Sequence, residues 1–97
     1  MVKTADHYDR LAAAYPEYLV FLRRGDDWYE VYGDTAEVFS EYLTEEVQSG
    51  YSDSRFVVAW PSHRHQRVLG KVCALHKDVL VFEVPLLTNI GGPRNDS

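Results

Sequence analysis

Trp28 and Glu30 stand two residues apart in the run Trp28-Tyr29-Glu30-Val31-Tyr32. In a strand, alternate side chains share a face, so Trp28, Glu30 and Tyr32 would project together, with the first two about 7 Å apart. A flat indole beside a carboxylate suits an exposed or unstacked nucleobase. The ring stacks on the base while the carboxylate accepts from a ring N–H or an exocyclic amine. The plainer reading is that an aromatic residue on a half-buried strand belongs to the core.

Other groups invite chemistry and fall short of it. Asp26, Asp27 and Glu30 put carboxylates close together, but hairpin turns favour Asp for its local backbone hydrogen bonds. No nucleophile, base partner or phosphate-binding glycine loop accompanies them, so no catalytic residue is expected and the chain is read as a non-enzyme. His63, Arg64 and His65, with Cys73, raise the question of zinc. On a helix, residues two apart point about 200° from each other, so the two histidines cannot readily share a metal. A histidine in a capping region and one on the surface are expected instead, with no metal and no cofactor.

Two charged rows remain. Arg64, Arg67 and Lys71 follow i, i+3, i+7 and lie within about 60° on a helix, where they can track phosphates with Arg24 nearby. Asp34, Glu37, Glu41 and Glu45 form an acidic row stepping about 6 Å, which resembles a line of backbone phosphates or, more plainly, a solvated face. The net charge is −5, with nine acids and no Lys or Arg between Gly25 and Ser54. That excess disfavours an indiscriminate nucleic-acid binder.

The elements that must position these groups can be read from periodicity. Ala5–Tyr15 is expected to be a helix capped by Thr4 and closed by Pro16. Tyr18–Leu22 and Trp28–Tyr32 are expected strands joined by the turn Arg23–Asp27. Asp34 with Glu37 has the capping-box spacing for a second helix burying Val38, Phe39, Tyr42 and Leu43. Gln48–Ser54 is expected as a loop, Arg55–Trp60 as a strand, and Pro61-Ser62 as the start of a third helix burying Val68, Val72 and Leu75. A last strand covers Val79–Val84. The expected fold is α+β: a small mixed sheet of about four to six strands with three helices. A single domain over 1–87 and a flexible tail over 88–97 are expected for a chain of 97 residues. One cysteine permits no internal disulfide, and no apolar run is long enough for a signal or a membrane span, so the cytoplasm is the expected location and no membrane partner is expected.

Over most of its length the chain resembles the N-terminal mismatch-recognition domain, domain I, of the DNA mismatch repair protein MutS. The matching features are Pro16-Glu17 after the first helix, the strand Tyr18–Leu22, and the hairpin Arg24-Gly25-Asp26-Asp27-Trp28-Tyr29-Glu30. Asp34 and Ala36 match the next helix start, Pro61-Ser62-His63 the third, followed by Leu69-Gly70-Lys71-Val72 and the strand Val79–Val84. In that family a Phe-x-Glu pair enters the minor groove at a mispair and the Phe stacks on the unpaired base. The resemblance puts Trp28 at the Phe position and Glu30 at the Glu position. Trp28 is bulkier than Phe, and Asp26 stands where the family has glycine. The clamp, connector, lever and ATPase of MutS do not fit in this length, so a stand-alone domain without ATPase is expected.

Two functions follow. One is a nucleic-acid-binding module that stacks Trp28 on a base with Glu30 beside it, supported by Arg24, Arg64, Arg67 and Lys71, its partner being DNA. The other is a small acidic interaction module or inhibitor of a nucleic-acid-binding complex, of the kind mobile elements encode. It would present Asp34, Glu37, Glu41 and Glu45 to a basic nucleic-acid-binding protein by charge mimicry.

Overall fold

The computed structural model describes residues 3–52, 54–75 and 77–84. Three helices, α1 (Thr4–Ala14), α2 (Gly33–Tyr42) and α3 (His65–Val72), pack on five strands: β1 (Leu19–Arg24), β2 (Trp28–Tyr32), β3 (Gln48–Ser52), β4 (Arg55–Pro61) and β5 (Val79–Glu83). The strands lie in the order β3-β4-β2-β1-β5. Only the β1–β5 pair is parallel, so the sheet is mixed and the fold is α+β. The tail expected over 88–97 lies outside the described residues.

Register and pleat divide the side chains between two faces. Phe21, Tyr29, Val31, Val58 and Trp60 point to one face, because Arg23 opposes Tyr29 and Tyr29 opposes Trp60. There α2 and α3 cover them. Trp60 is 0% exposed and lies within ring contact of Phe21 (5.0 Å) and Phe39 (5.9 Å). The other face carries Leu22, Arg24, Trp28, Glu30 and Tyr32. Helix α1 covers part of it, with Tyr8 at 5.6 Å from Tyr32, and the Arg55–Asp9 ion pair ties β4 to α1 at 2.7 Å.

Several local expectations give way to this packing. Gln48–Ser52 is a strand, not a loop: its residues are polar, but β4 has a free edge and the backbone of an otherwise exposed segment pairs with it. Lys3, not Thr4, precedes α1, and no side chain caps it. Strand β2 runs straight into α2 with Tyr32 at the N-cap, and Gly33 at φ +65° makes the sharp change of direction. Asp34 therefore lies inside the first turn rather than capping it. This rotates the buried face of α2 to Ala36, Phe39 and, just past the helix, Leu43, leaving Val38 and Tyr42 exposed. Residues 62–64 form a single 3₁₀ turn before α3, and Ser62 donates its hydroxyl to the carbonyl of Asp26 instead of capping a helix. The β1–β2 hairpin thereby sits directly against the start of α3.

Candidate nucleic-acid interface

Trp28 and Arg24 face each other across the β1–β2 hairpin on the same side of the sheet. Directly opposed residues on one face of antiparallel strands have Cβ atoms roughly 4.5–5.5 Å apart. Trp28 is half-buried, belongs neither to the core nor to the apolar residues packed against it, and touches no other aromatic ring among the described residues. Its neighbour Tyr29 points the other way and stacks on His65 at 3.7 Å. Pleating thus sends one of two adjacent aromatic residues inward and the other to the surface.

Trp28 lines a concavity of about 390 Å³ together with Glu45, Glu46, Gln48, His63 and Arg64. Two separate stretches of sequence, the segment after α2 and the turn before α3, close around the end of β2. Sequence periodicity places Arg64 near Arg67 and Lys71. The fold also brings it beside Trp28.

Glu30 behaves differently from the expectation of a free carboxylate. It is 6% exposed. Arg24 grips it through two N–H groups, Nε to Oε2 and Nη2 to Oε1, both at 2.9 Å, and the Tyr32 hydroxyl donates to Oε1 at 2.8 Å. Burial and the bond to Glu30 raise the Tyr32 phenol well above its ordinary range, so it remains a donor. A buried charge without such partners would be costly, and here two side chains supply them. The i, i+2 spacing on one strand places Tyr32 on the face of Glu30, and the fold makes it a hydrogen-bond partner.

The basic row is only partly free. Arg64 lies in the 3₁₀ turn, not on a helix shared with Arg67 and Lys71. It donates to the Glu45 carbonyl at 2.8 Å, and both it (3.4 Å) and Lys71 (3.5 Å) pair with the buried carboxylate of Glu46. Arg67 is exposed and forms no ion pair among the described residues. Glu46 had no distinguishing mark in the sequence beyond an acid between apolar Leu43 and Val47. Replacing Glu46 with Gln removes the charge beneath the two cations. Affinity for any DNA, matched or mispaired, is expected to rise by roughly threefold, with a steeper salt dependence measured by anisotropy.

The acidic row also breaks. Asp34, Glu37 and Glu41 are exposed on α2, but the helix ends at Tyr42, so Glu45 lies in the following turn and leaves the line. Among the described residues no three His, Cys, Asp or Glu side chains gather to hold a metal. No described helix is long and apolar enough to cross a membrane.

His65 is not a surface residue. Its Nδ1 accepts the Trp60 indole N–H at 3.1 Å, and an indole can only donate, so Nδ1 is unprotonated in the fold. Burial first, and then the nearby Arg23 charge, lower its pKa below the usual 6.5. The unfolded chain therefore binds the proton more readily. Stability from the neutral ring is fully present above about pH 6.5 and declines as pH falls toward the folded pKa. Thermal melts between pH 7.5 and 5.0 are expected to show this loss, and His65→Asn, which keeps an acceptor but does not titrate, is expected to flatten it.

The family model for MutS domain I matches residues 3–85, which takes in all five strands and all three helices. The chain belongs to the MutS domain I family. No curated protein matches it. Trp28 and Glu30 occupy the first and third positions of strand β2, with Trp28 directly after the hairpin turn.

Proposed function

We propose that this chain is a DNA-binding module that recognises sites where base stacking is broken, using the Trp28 indole as the stacking group, and that it is not an enzyme. Membership of the MutS domain I family supports DNA recognition at mispairs. The observation that carries the finer reading is the position of Trp28. A large aromatic residue outside the core, beside Arg24 and on the rim of a concavity that includes Arg64, has apolar area to offer a base and cations to offer phosphates. Arg67, exposed on α3 and without an ion pair among the described residues, and the partly engaged Lys71 extend the cationic surface.

Anisotropy titrations of labelled duplexes at low salt test the reading. The chain is expected to prefer a duplex with one mispair to its matched counterpart, with affinity falling as salt rises. Equal, salt-insensitive affinity for both would overturn it.

A second reading rests on the opposite charge. Glu37 and Glu41, with the exposed Tyr51 and with Arg55, line a concavity of about 460 Å³ between α2 and the strands β3 and β4. That surface supports docking of a basic protein, as expected of an acidic interaction module or inhibitor. Under it, the chain binds no DNA, and a Glu37→Gln, Glu41→Gln variant loses affinity for a basic peptide in a pull-down at low salt.

A further inference from the structure

We infer that the outer edge of β5 is a self-association edge. Two copies of the chain pair their β5 strands antiparallel about a two-fold axis at Val81, joining two five-stranded sheets into one. Strand β1 lies between β5 and the strand that carries Trp28, so this pairing leaves the Trp28 surface uncovered.

Hydrogen-bond direction decides what the edge offers. The Asp78 carbonyl accepts from the Leu19 N–H at 2.8 Å, and the Val84 N–H donates to the Arg23 carbonyl at 2.9 Å. Residues 78, 80, 82 and 84 therefore turn their backbone groups toward β1. Strand alternation turns those of Val79, Val81 and Glu83 the other way. No strand lies beyond β5 among the described residues, so these N–H and C=O groups face outward as a template for another strand. Apolar side chains accompany them. Val81 shares a face with the buried Phe21 by register, yet it is 45% exposed. On the opposite face Phe82 lies 5.5 Å from the exposed ring of Tyr15. Edge strands are commonly blunted by Lys, Pro or a bulge. Val79-Leu80-Val81-Phe82-Glu83 has neither residue, and all five positions pair with β1 without interruption. The edge at β3 differs, since Gln48-Ser49-Gly50-Tyr51-Ser52 is mostly polar and has little apolar area to bury.

A second copy matches this edge by symmetry. With the axis at Val81, each Val81 opposes its own copy, Leu80 opposes Phe82, and Val79 opposes Glu83. Every outward-facing residue then meets an outward-facing one, and the two edges exchange about six N–H···O=C bonds. A slip of one residue would set outward groups against inward ones and lose the ladder. The central pair buries two exposed valines, and each Leu80–Phe82 pair extends the apolar patch at Tyr15. Charge agrees with this register. Glu83 is 71% exposed and reaches Arg23 only at 3.6 Å. Lys77 is exposed and lies two residues before Val79, which makes it a diagonal neighbour of the second copy's Glu83. Such neighbours are roughly 7–8 Å apart, within reach of long side chains, and the axis makes the pair twice. Parallel pairing in register would instead set Glu83 against Glu83, an arrangement of like charges that destabilises.

A five-residue edge contact is small, so a dissociation constant on the order of 10–100 µM is expected. Sedimentation velocity of the full chain, from about 10 µM to about 1 mM, is expected to show monomer giving way to a species of twice the mass. Val81→Pro removes an outward donor and spares the ladder to β1, and Pro is tolerated where an edge N–H faces solvent. It is expected to weaken association by about tenfold or more with the circular dichroism spectrum unchanged. Val81→Thr keeps the donor and the β-branch and is expected to stay within about threefold of wild type. Cross-linking reads the register. In a Cys73→Ser background, which removes the exposed native thiol, Val81→Cys is expected to form a covalent dimer on mild oxidation. Opposed residues that exchange hydrogen bonds have Cα atoms roughly 5.5 Å apart, within disulfide reach. Ser49→Cys, on the β3 edge, is expected to stay monomeric in the same background. A wild-type chain that is monomeric up to about 1 mM would overturn the inference. So would a folded Val81→Pro that associates as tightly as wild type, or Ser49→Cys cross-linking as readily as Val81→Cys. If Val81→Pro does not fold, the cross-linking comparison decides alone.

Discussion

Trp28→Ala is expected to weaken binding to a mispaired or single-stranded DNA by roughly ten- to hundredfold while leaving the protein folded. Stacking of one base on an aromatic side chain is worth roughly 1–3 kcal/mol by alanine substitution, which spans that range. The fold should survive because Trp28 lies outside the core and contacts no other ring among the described residues. Trp60, 0% exposed, then serves as the only remaining indole and reports folding through its emission. The change removes no charge, so the dependence of affinity on salt should keep its slope. Fluorescence anisotropy with matched, mispaired and single-stranded oligonucleotides at two salt concentrations reads all three quantities. Unchanged affinity in a folded variant would reduce Trp28 to a surface residue and turn attention to the acidic face of α2.

The largest effect on stability is expected from the other tryptophan. Trp60→Ala should cost about 3–5 kcal/mol, the range for truncating a large buried aromatic residue. Trp60 meets Phe21, Phe39, Tyr29 and His65, so four elements lose a shared neighbour. His65 Nδ1 also loses its donor. A domain of this size holds roughly 5–15 kcal/mol in total, so the variant should be marginal at room temperature. Urea unfolding followed by far-ultraviolet circular dichroism measures the shift. A loss below about 1 kcal/mol would mean that the cavity collapses and the ring is not the centre of the core.

These two substitutions separate two tryptophans of identical chemistry, and the separation shows where local sequence runs out. Trp28 and Trp60 each begin or end a strand rich in aromatic and β-branched residues. Nothing in either neighbourhood says which is inside. The register does: Tyr29 opposes Trp60, so Trp60 shares the inner face covered by α2 and α3, and Trp28 falls on the other. Register is a relation between segments more than thirty residues apart, and no local window contains it.

The family, the mixed α+β architecture, four of the five strands and the placement of Trp28, Glu30 and Tyr32 on one face are legible in the chain alone. Each rests on short-range constraints: the period-2 pleat, the 3.6-residue apolar repeat, turn residues such as Gly25, which lies at φ +60°, and motif order along the chain. The fold is needed to make Gln48–Ser52 a strand, because its polar residues pair for the sake of their backbone on the free edge of β4. It alone placed Glu46 beneath Arg64 and Lys71, and His65 between Tyr29 and Trp60. It alone tied Glu30 to Arg24 and Tyr32, which turns a carboxylate that looks free in the sequence into a buried one that accepts three hydrogen bonds. The physical reason is common to all four. Burial and pairing of polar groups depend on which distant segments meet, and the free energy of a charged or hydrogen-bonding side chain is set by that meeting rather than by its neighbours in the chain.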